Sequence, residues 1–173
     1  MICLIVGGFG VGKDTVADLL VKTVSSRHDC IKAKKILSYT TRSPRYEGEK
    51  THLFCTKDQF LTFNDLVAQT EIDGHYYGAR EFQFDKSKLN LYCIDGKGVY
   101  DIINSNIDDV LIVEVVRPKW LINLPSDRID RQPNGSYNFE IDYRIMNDGD
   151  MEKLKASVLE CYNFLLKEMK KSL

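Results

Sequence analysis

The stretch Gly7-Gly8-Phe9-Gly10-Val11-Gly12-Lys13-Asp14-Thr15 decides how this chain folds. The apolar run before it, Ile2-Cys3-Leu4-Ile5-Val6, is short and β-branched, which predicts a parallel strand covered on both faces. After it, Val16-Ala17-Asp18-Leu19-Leu20-Val21 has the apolar spacing of a helix. Strand, glycine-rich turn and helix in that order form the setting of a phosphate-binding loop. The glycines let backbone N–H groups close around phosphate oxygens, and the helix N-terminus adds the positive end of its dipole. Read in this way, Gly8, Gly10, Val11, Gly12, Lys13, Asp14 and Thr15 form an ATP site in which Lys13 bridges the β- and γ-phosphates. The alternative is a glycine-rich turn carrying an exposed lysine.

Asp14 stands where the spacing calls for Ser or Thr to hold Mg²⁺. A carboxylate there is expected to point away from phosphate. Thr15, one residue on, then becomes the hydroxyl expected to hold the metal.

The 173 residues suit one domain with a substantial core. A net charge of −1 supplies no global field for nucleic acid or membrane surfaces, so neither is expected as a partner. No apolar run has the length of a membrane span, and the first residues read as a core strand instead of a signal peptide. Five cysteines are scattered without metal-ligand spacing, which predicts reduced thiols and a cytoplasmic protein.

Downstream, Lys34-Lys35-Ile36-Leu37-Ser38-Tyr39 reads as a second strand, and Thr56 as the cap of a helix whose apolar face begins at Phe60. A hairpin over 67–77 turns at Asp73-Gly74. Continuous apolar runs at 89–94 and 110–116 predict buried parallel strands, with a short helix over 98–104 between them. Tyr143-Arg144-Ile145-Met146 is the last strand, and 151–169 a terminal amphipathic helix. Alternating strands and helices imply an α/β, doubly wound parallel sheet of the P-loop NTPase type. A hairpin-bearing insertion lies between the second and third parallel strands.

Two further clusters narrow the chemistry. Arg42 and Arg45, in Ser38-Tyr39-Thr40-Thr41-Arg42-Ser43-Pro44-Arg45, are held three apart by a proline turn and are suited to grip a second phosphate with forked bonds. In Gly74-His75-Tyr76-Tyr77-Gly78 a tyrosine hydroxyl is available to the same phosphate. Taken singly, these residues are equally at home in a solvated basic turn and a packed hairpin.

Together they resemble guanylate kinases, whose pattern is a GxxGxGK loop, then Ser-x-Thr-Thr-Arg-x-Pro-Arg, then a Gly-x-Tyr-Tyr-Gly hairpin. The resemblance covers residues 1–99. It implies a single P-loop kinase domain over 1–173, with an acceptor-binding insertion at about 38–80 and a short lid at about 120–138. It also implies that Arg42, Arg45 and Tyr77 bind the acceptor monophosphate, with Ser38 near the base and Asp95 meeting the guanine edge. The family's base-reading glutamate falls on Ala68, its strand-end aspartate on Cys93, a tyrosine on His52, and the hydroxyl after the hairpin glycine on Ala79. Glu71 substitutes for the lost glutamate only if the hairpin register differs.

The strings Val113-Glu114-Val115-Val116-Arg117-Pro118 and Asp142-Tyr143-Arg144-Ile145-Met146-Asn147-Asp148-Gly149 are similar to phage-type deoxynucleoside monophosphate kinases. That second resemblance implies deoxynucleotide acceptors. The two resemblances together imply ATP- and Mg²⁺-dependent phosphorylation of a nucleoside monophosphate, GMP or dGMP first. Arg128 or Arg131, and also Arg117, would neutralise the transferring group. The competing readings are a non-catalytic guanylate-kinase-like binding module, an ATPase, and a kinase for other acceptors. Small-molecule nucleotides are the partners expected, and the oligomeric state is open.

Overall fold

The computed structural model describes residues 1–27, 31–105, 107–123 and 137–171. Its first strand, β1 (Ile2–Val6), is buried at every position, as an unbroken apolar run predicts. The loop then feeds α1 (Lys13–Ser26), which buries Val16, Ala17, Leu20 and Val24 along one face. β2 (Ala33–Ile36), β7 (Leu89–Cys93), β8 (Val110–Val116) and β9 (Tyr143–Met146) complete a five-stranded parallel sheet in the order β2-β7-β1-β8-β9. β1 therefore sits at its centre. The chain builds outward first on the β7 side and then on the β8 side. The reversal puts a crevice at the C-terminal ends of the strands, where such sheets bind ligands.

Alternation along β1 divides the core between two layers. Cys3 and Ile5 pack with α1 and the terminal helix α4 (Met151–Lys171) in a cluster that includes Leu20, Val113, Val158 and Leu165. Ile2, Leu4 and Val6 face the other way, with Val99 and Ile102 of α3 (Gly96–Ile103). α3 begins two residues before the start its sequence pattern predicts. Asp95 caps it by accepting a hydrogen bond from the Gly98 amide at 3.0 Å, and the two glycines of that first turn had hidden its start from a periodicity reading.

The insertion carries its own four-stranded sheet, ordered β4-β3-β6-β5, built from β3 (Tyr39–Thr40), β4 (Leu53–Phe54), β5 (Leu66–Ile72) and β6 (His75–Arg80). β5 and β6 form the expected hairpin, with Asp73 and Gly74 at positive φ in the turn. The small helix α2 (Lys57–Leu61) opens on a full capping box between Thr56 and Gln59. The stretch 34–39 is two strands, not the single strand its pattern suggests. Ile36 still pairs in the central sheet, whereas Tyr39 pairs with Gly78 and Leu53 in the insertion. The nearly buried Gln83 fastens the crossing point, its side-chain amide donating to Leu37 O at 2.9 Å and its main-chain carbonyl accepting from Lys34 Nζ at 2.7 Å.

The loop after β1 is wedged against β8. Gly7 has φ +147, and a Cβ there would lie 2.4 Å from Val115 O. Gly7→Ala should therefore cost at least about 2 kcal/mol of stability, combining backbone strain with an overlap against main chain that cannot rotate away. Urea denaturation of the variant checks this; an unchanged midpoint would show that the loop can relax away from β8.

Candidate functional site

Two cavities open on either side of the loop. The larger, about 780 Å³, is lined on one wall by Gly10, Gly12, Lys13 and Asp14, and on the other by residues of the insertion. It brings together Ser38, Arg42, Arg45, Tyr77 and Asp95, the whole predicted acceptor set. The smaller, about 470 Å³, runs beneath the loop between Gly10, Gly12 and Thr15 on one side and Arg117, Asn147 and Gly149 on the other. Asp14 and Thr15, adjacent in α1, thus face different cavities. A helix turns its successive side chains by about 100°.

Lys13 Nζ donates to Gly7 O and Gly8 O, both at 2.9 Å, so the loop coils around its own ammonium. Burial pushes the Lys13 pKa down, and the carboxylates of Asp14 and Asp95 work against that shift. Val11 is fully buried, and its carbonyl accepts from Asn147 Nδ2 at 2.8 Å. Asn147 thereby supports the loop from β9's end, and a Cβ on Gly12 would lie 2.7 Å from the same nitrogen. Arg117 donates to Leu121 O at 3.0 Å and Asn147 O at 3.3 Å. The lid arginines expected from the sequence, Arg128 and Arg131, lie outside the described residues, as do residues 124–136 of the lid.

The geometry of the insertion alters the reading of Arg42. Its guanidinium was expected to present a fork to phosphate, yet the fork is already engaged. Nη1 donates to Glu49 Oε2 at 3.0 Å and to Ser43 O at 2.9 Å, and Nη2 donates to Glu49 Oε1 at 2.6 Å. Glu49 also accepts from the Arg45 amide at 2.7 Å and from the Thr51 hydroxyl. The Arg42 hydrogen bonds, those from Thr51 and the Arg45 amide hold its carboxyl far below the usual carboxylate range. Arg42 Nε is buried and without a hydrogen-bond partner, and Tyr77 interacts with the same guanidinium. Arg45 is exposed on the cavity rim. Glu49 was legible only as one acid in the turn Glu47-Gly48-Glu49; its role depends on contacts that folding creates.

Around Ala68 the cavity borders the apolar core. Ala68 lines the cavity and belongs to the apolar cluster under α3, and Ala79 is fully buried in the same cluster. Ala68 pairs with Ala79 and Glu71 with Tyr76 across the hairpin. In that register Glu71 is exposed and is not among the cavity-lining residues, so it does not replace a carboxylate at position 68. Ser38 Oγ and Tyr92 Oη are hydrogen-bonded at 3.0 Å. Tyr92 is a wall residue that sequence reasoning missed, because it sits inside an apolar strand pattern. Burial pushes the Cys93 thiol up to about 12, with Asp14 adding to the shift, so at neutral pH this position offers a neutral thiol.

No protein-family model matches the sequence, and no curated protein matches it. Among solved structures, a guanylate kinase from Anaplasma phagocytophilum superposes with a TM-score of 0.71 at 21% identity, over 97% of this chain and 85% of that one. The fold is the P-loop NTPase fold of guanylate-kinase type. Among the described residues no helix is long and apolar enough to cross a membrane.

His52 stands where the family resemblance places a tyrosine. Its ring meets Tyr77 edge-on, with centroids 5.7 Å apart, and its Nδ1 lies 3.3 Å from Arg42 Nη2. Burial, then the Arg42 charge, lowers its pKa from the ordinary 6.5. Below that value the unfolded chain binds the proton more readily than the folded one. The contribution of His52 to stability is therefore complete above pH 6.5 and is lost as the pH falls through the window beneath it. The urea midpoint should drop between about pH 7 and about pH 5, and the drop should be smaller in His52→Asn. Equal slopes in the two proteins would place the titration elsewhere.

Proposed function

We propose that this chain transfers the γ-phosphoryl group of ATP to a nucleoside monophosphate, with GMP or dGMP as the preferred acceptor. One observation carries the reading. The phosphate loop, the insertion's Arg45 and Tyr77, and Asp95 at the start of α3 share a single cavity, so two phosphorylated ligands can meet there. Phosphoryl transfer asks mainly for alignment and charge neutralisation, and this cavity offers both.

In this reading the loop amides and Lys13 hold the donor phosphates, Lys13 leaving the carbonyls of Gly7 and Gly8 for phosphate oxygens. The cavity beneath the loop, with Arg117, Asn147 and Gly149, accepts the rest of the ATP molecule. The Thr15 hydroxyl, in the first turn of α1, is a hard oxygen donor of the kind that fits Mg²⁺, whereas Asp14 faces the other cavity. Thr15 would hold the ion that arrives with ATP, and that ion would supply charge neutralisation at the phosphates. Arg45 and the Nε–H of Arg42 orient the acceptor phosphate, with the Tyr77 hydroxyl as a further donor. Asp95 has one oxygen committed to the α3 cap and presents the other to the N1–H and amino group of a guanine; Ser38 lies at the same end. Arg128 or Arg131 would neutralise the transferring group, a role that rests on the sequence.

A non-catalytic binding module remains a second reading because of Ala68 and Cys93, which leave two positions without the carboxylates the family resemblance expects. A coupled ADP-release assay across ribo- and deoxyribonucleoside monophosphates, with a no-acceptor blank, separates the two. Acceptor-dependent ADP release supports the kinase, and release equal to the blank for every acceptor refutes it. Lys13→Ala should lower turnover at least about 100-fold with an unchanged melting curve, because it removes a preorganised cation and little packing. Near-normal turnover in that variant would sink the loop's assigned role.

Base selection should be loose. With one carboxylate facing the base, guanine should be preferred over adenine by about 1–3 kcal/mol in kcat/KM, and Asp95→Asn should erode that preference. Comparing GMP, dGMP, AMP and dAMP in both proteins tests this. Selectivity that ignores the substitution would mean other residues read the base.

A further inference from the structure

Asp14 is the second residue of α1, in the turn whose amides face the loop. A carboxylate in this turn competes with phosphate for the same positive field and repels any polyphosphate that approaches. Lys13 makes no direct ion pair with it, because its ammonium is turned into the loop toward Gly7 O and Gly8 O.

The offset comes from another element. Lys35, on β2, places Nζ 3.0 Å from Asp14 Oδ1 and 2.9 Å from Asp18 Oδ1. Its side chain is 18% exposed, against 60% and 57% for the two acids, so the ammonium is enclosed and the carboxylates lean over it. The two acids lie four residues apart in α1, hence on one face, and Lys35 is clamped between them. Lys35 also lines the large cavity together with Lys13 and Asp14. Two of its three ammonium protons have carboxylate partners, and the third remains for a ligand.

We propose that Lys35 is a positioning residue of the donor-phosphate site: it neutralises Asp14 and holds that carboxylate toward Asp18, keeping the first turn of α1 receptive to a nucleoside triphosphate and its divalent ion. The inference rests on the phosphoryl-transfer reading above. It makes positions 14 and 35 a coupled pair, since a carboxylate in the loop is tolerated because a lysine on the neighbouring strand cancels it. A clamp that merely ties β2 to α1 would lack this coupling, as its loss would weaken the fold regardless of what occupies position 14.

Titration calorimetry of the full chain with MgATP distinguishes the two. Lys35→Met should weaken binding about tenfold, and Lys35→Arg, which keeps the charge, should recover most of the loss. In an Asp14→Ser background, the same Lys35→Met change should cost less than about threefold. Melting curves identify the folded variants, and Lys35→Gln serves if Lys35→Met does not fold. Unchanged affinity in Lys35→Met, or an equal loss in both backgrounds, overturns the proposal while leaving the kinase reading intact. A wild-type chain that binds no MgATP overturns the kinase reading and this proposal with it.

Discussion

The close approach of Gly7 to Val115 is the contact on which the rest of the site depends. It brings the chain off the end of β1 and directly over the neighbouring strand, with no space for a side chain between them. From there the loop has one way to reach α1, and Asn147 props it from below through the Val11 carbonyl. The amides that would receive phosphate are thus positioned by three strands of one sheet. Such a loop is preorganised: the ordering cost is met when the sheet forms, not when ligand arrives.

A second constraint is charge. Two ionic groups lining the large cavity are answered by fixed partners: Arg42 by Glu49, and Asp14 by Lys35. The Arg42–Glu49 pair is nearly buried, so removing either member would strand the other away from water. The Arg42–Glu49 pair, with the Arg45 amide and Thr51 on the same carboxylate, shapes the insertion. Arg45 stands apart from this pattern. Its backbone is held by Glu49 while its side chain stays on the exposed rim, which suits it to meet an incoming phosphate.

At the end where the base is proposed to sit the cavity changes character. Ala68 brings the apolar core under α3 to the cavity wall, with Ala79 packed behind it in the same cluster. An apolar wall discriminates weakly among planar bases, because specificity comes mainly from polar groups that a wrong ligand leaves unpaired. Asp95 and the hydrogen-bonded Ser38–Tyr92 pair supply the polarity at that end. The phosphate end is correspondingly the more elaborate half of the site.

Local patterns carried most of the architecture. The unbroken apolar strands, the glycine loop, the Asp73-Gly74 turn and the Thr56 cap are each decided by neighbours within a few residues, so they could be read from the chain alone. Residues 34–39 could not, because whether a strand continues or changes sheets depends on Gln83, almost fifty positions away. The acceptor residues were likewise legible as motifs, whereas their state was not. That Arg42 has its fork occupied, that Glu71 lies outside the cavity, and that Lys35 reaches Asp14 are results of register and long-range contact. The sequence by itself determined which charged and polar side chains the chain carries and at what spacing. Tertiary structure alone decided which of them are committed to a partner, because a charged group's capacity depends on the groups that folding brings within hydrogen-bonding distance.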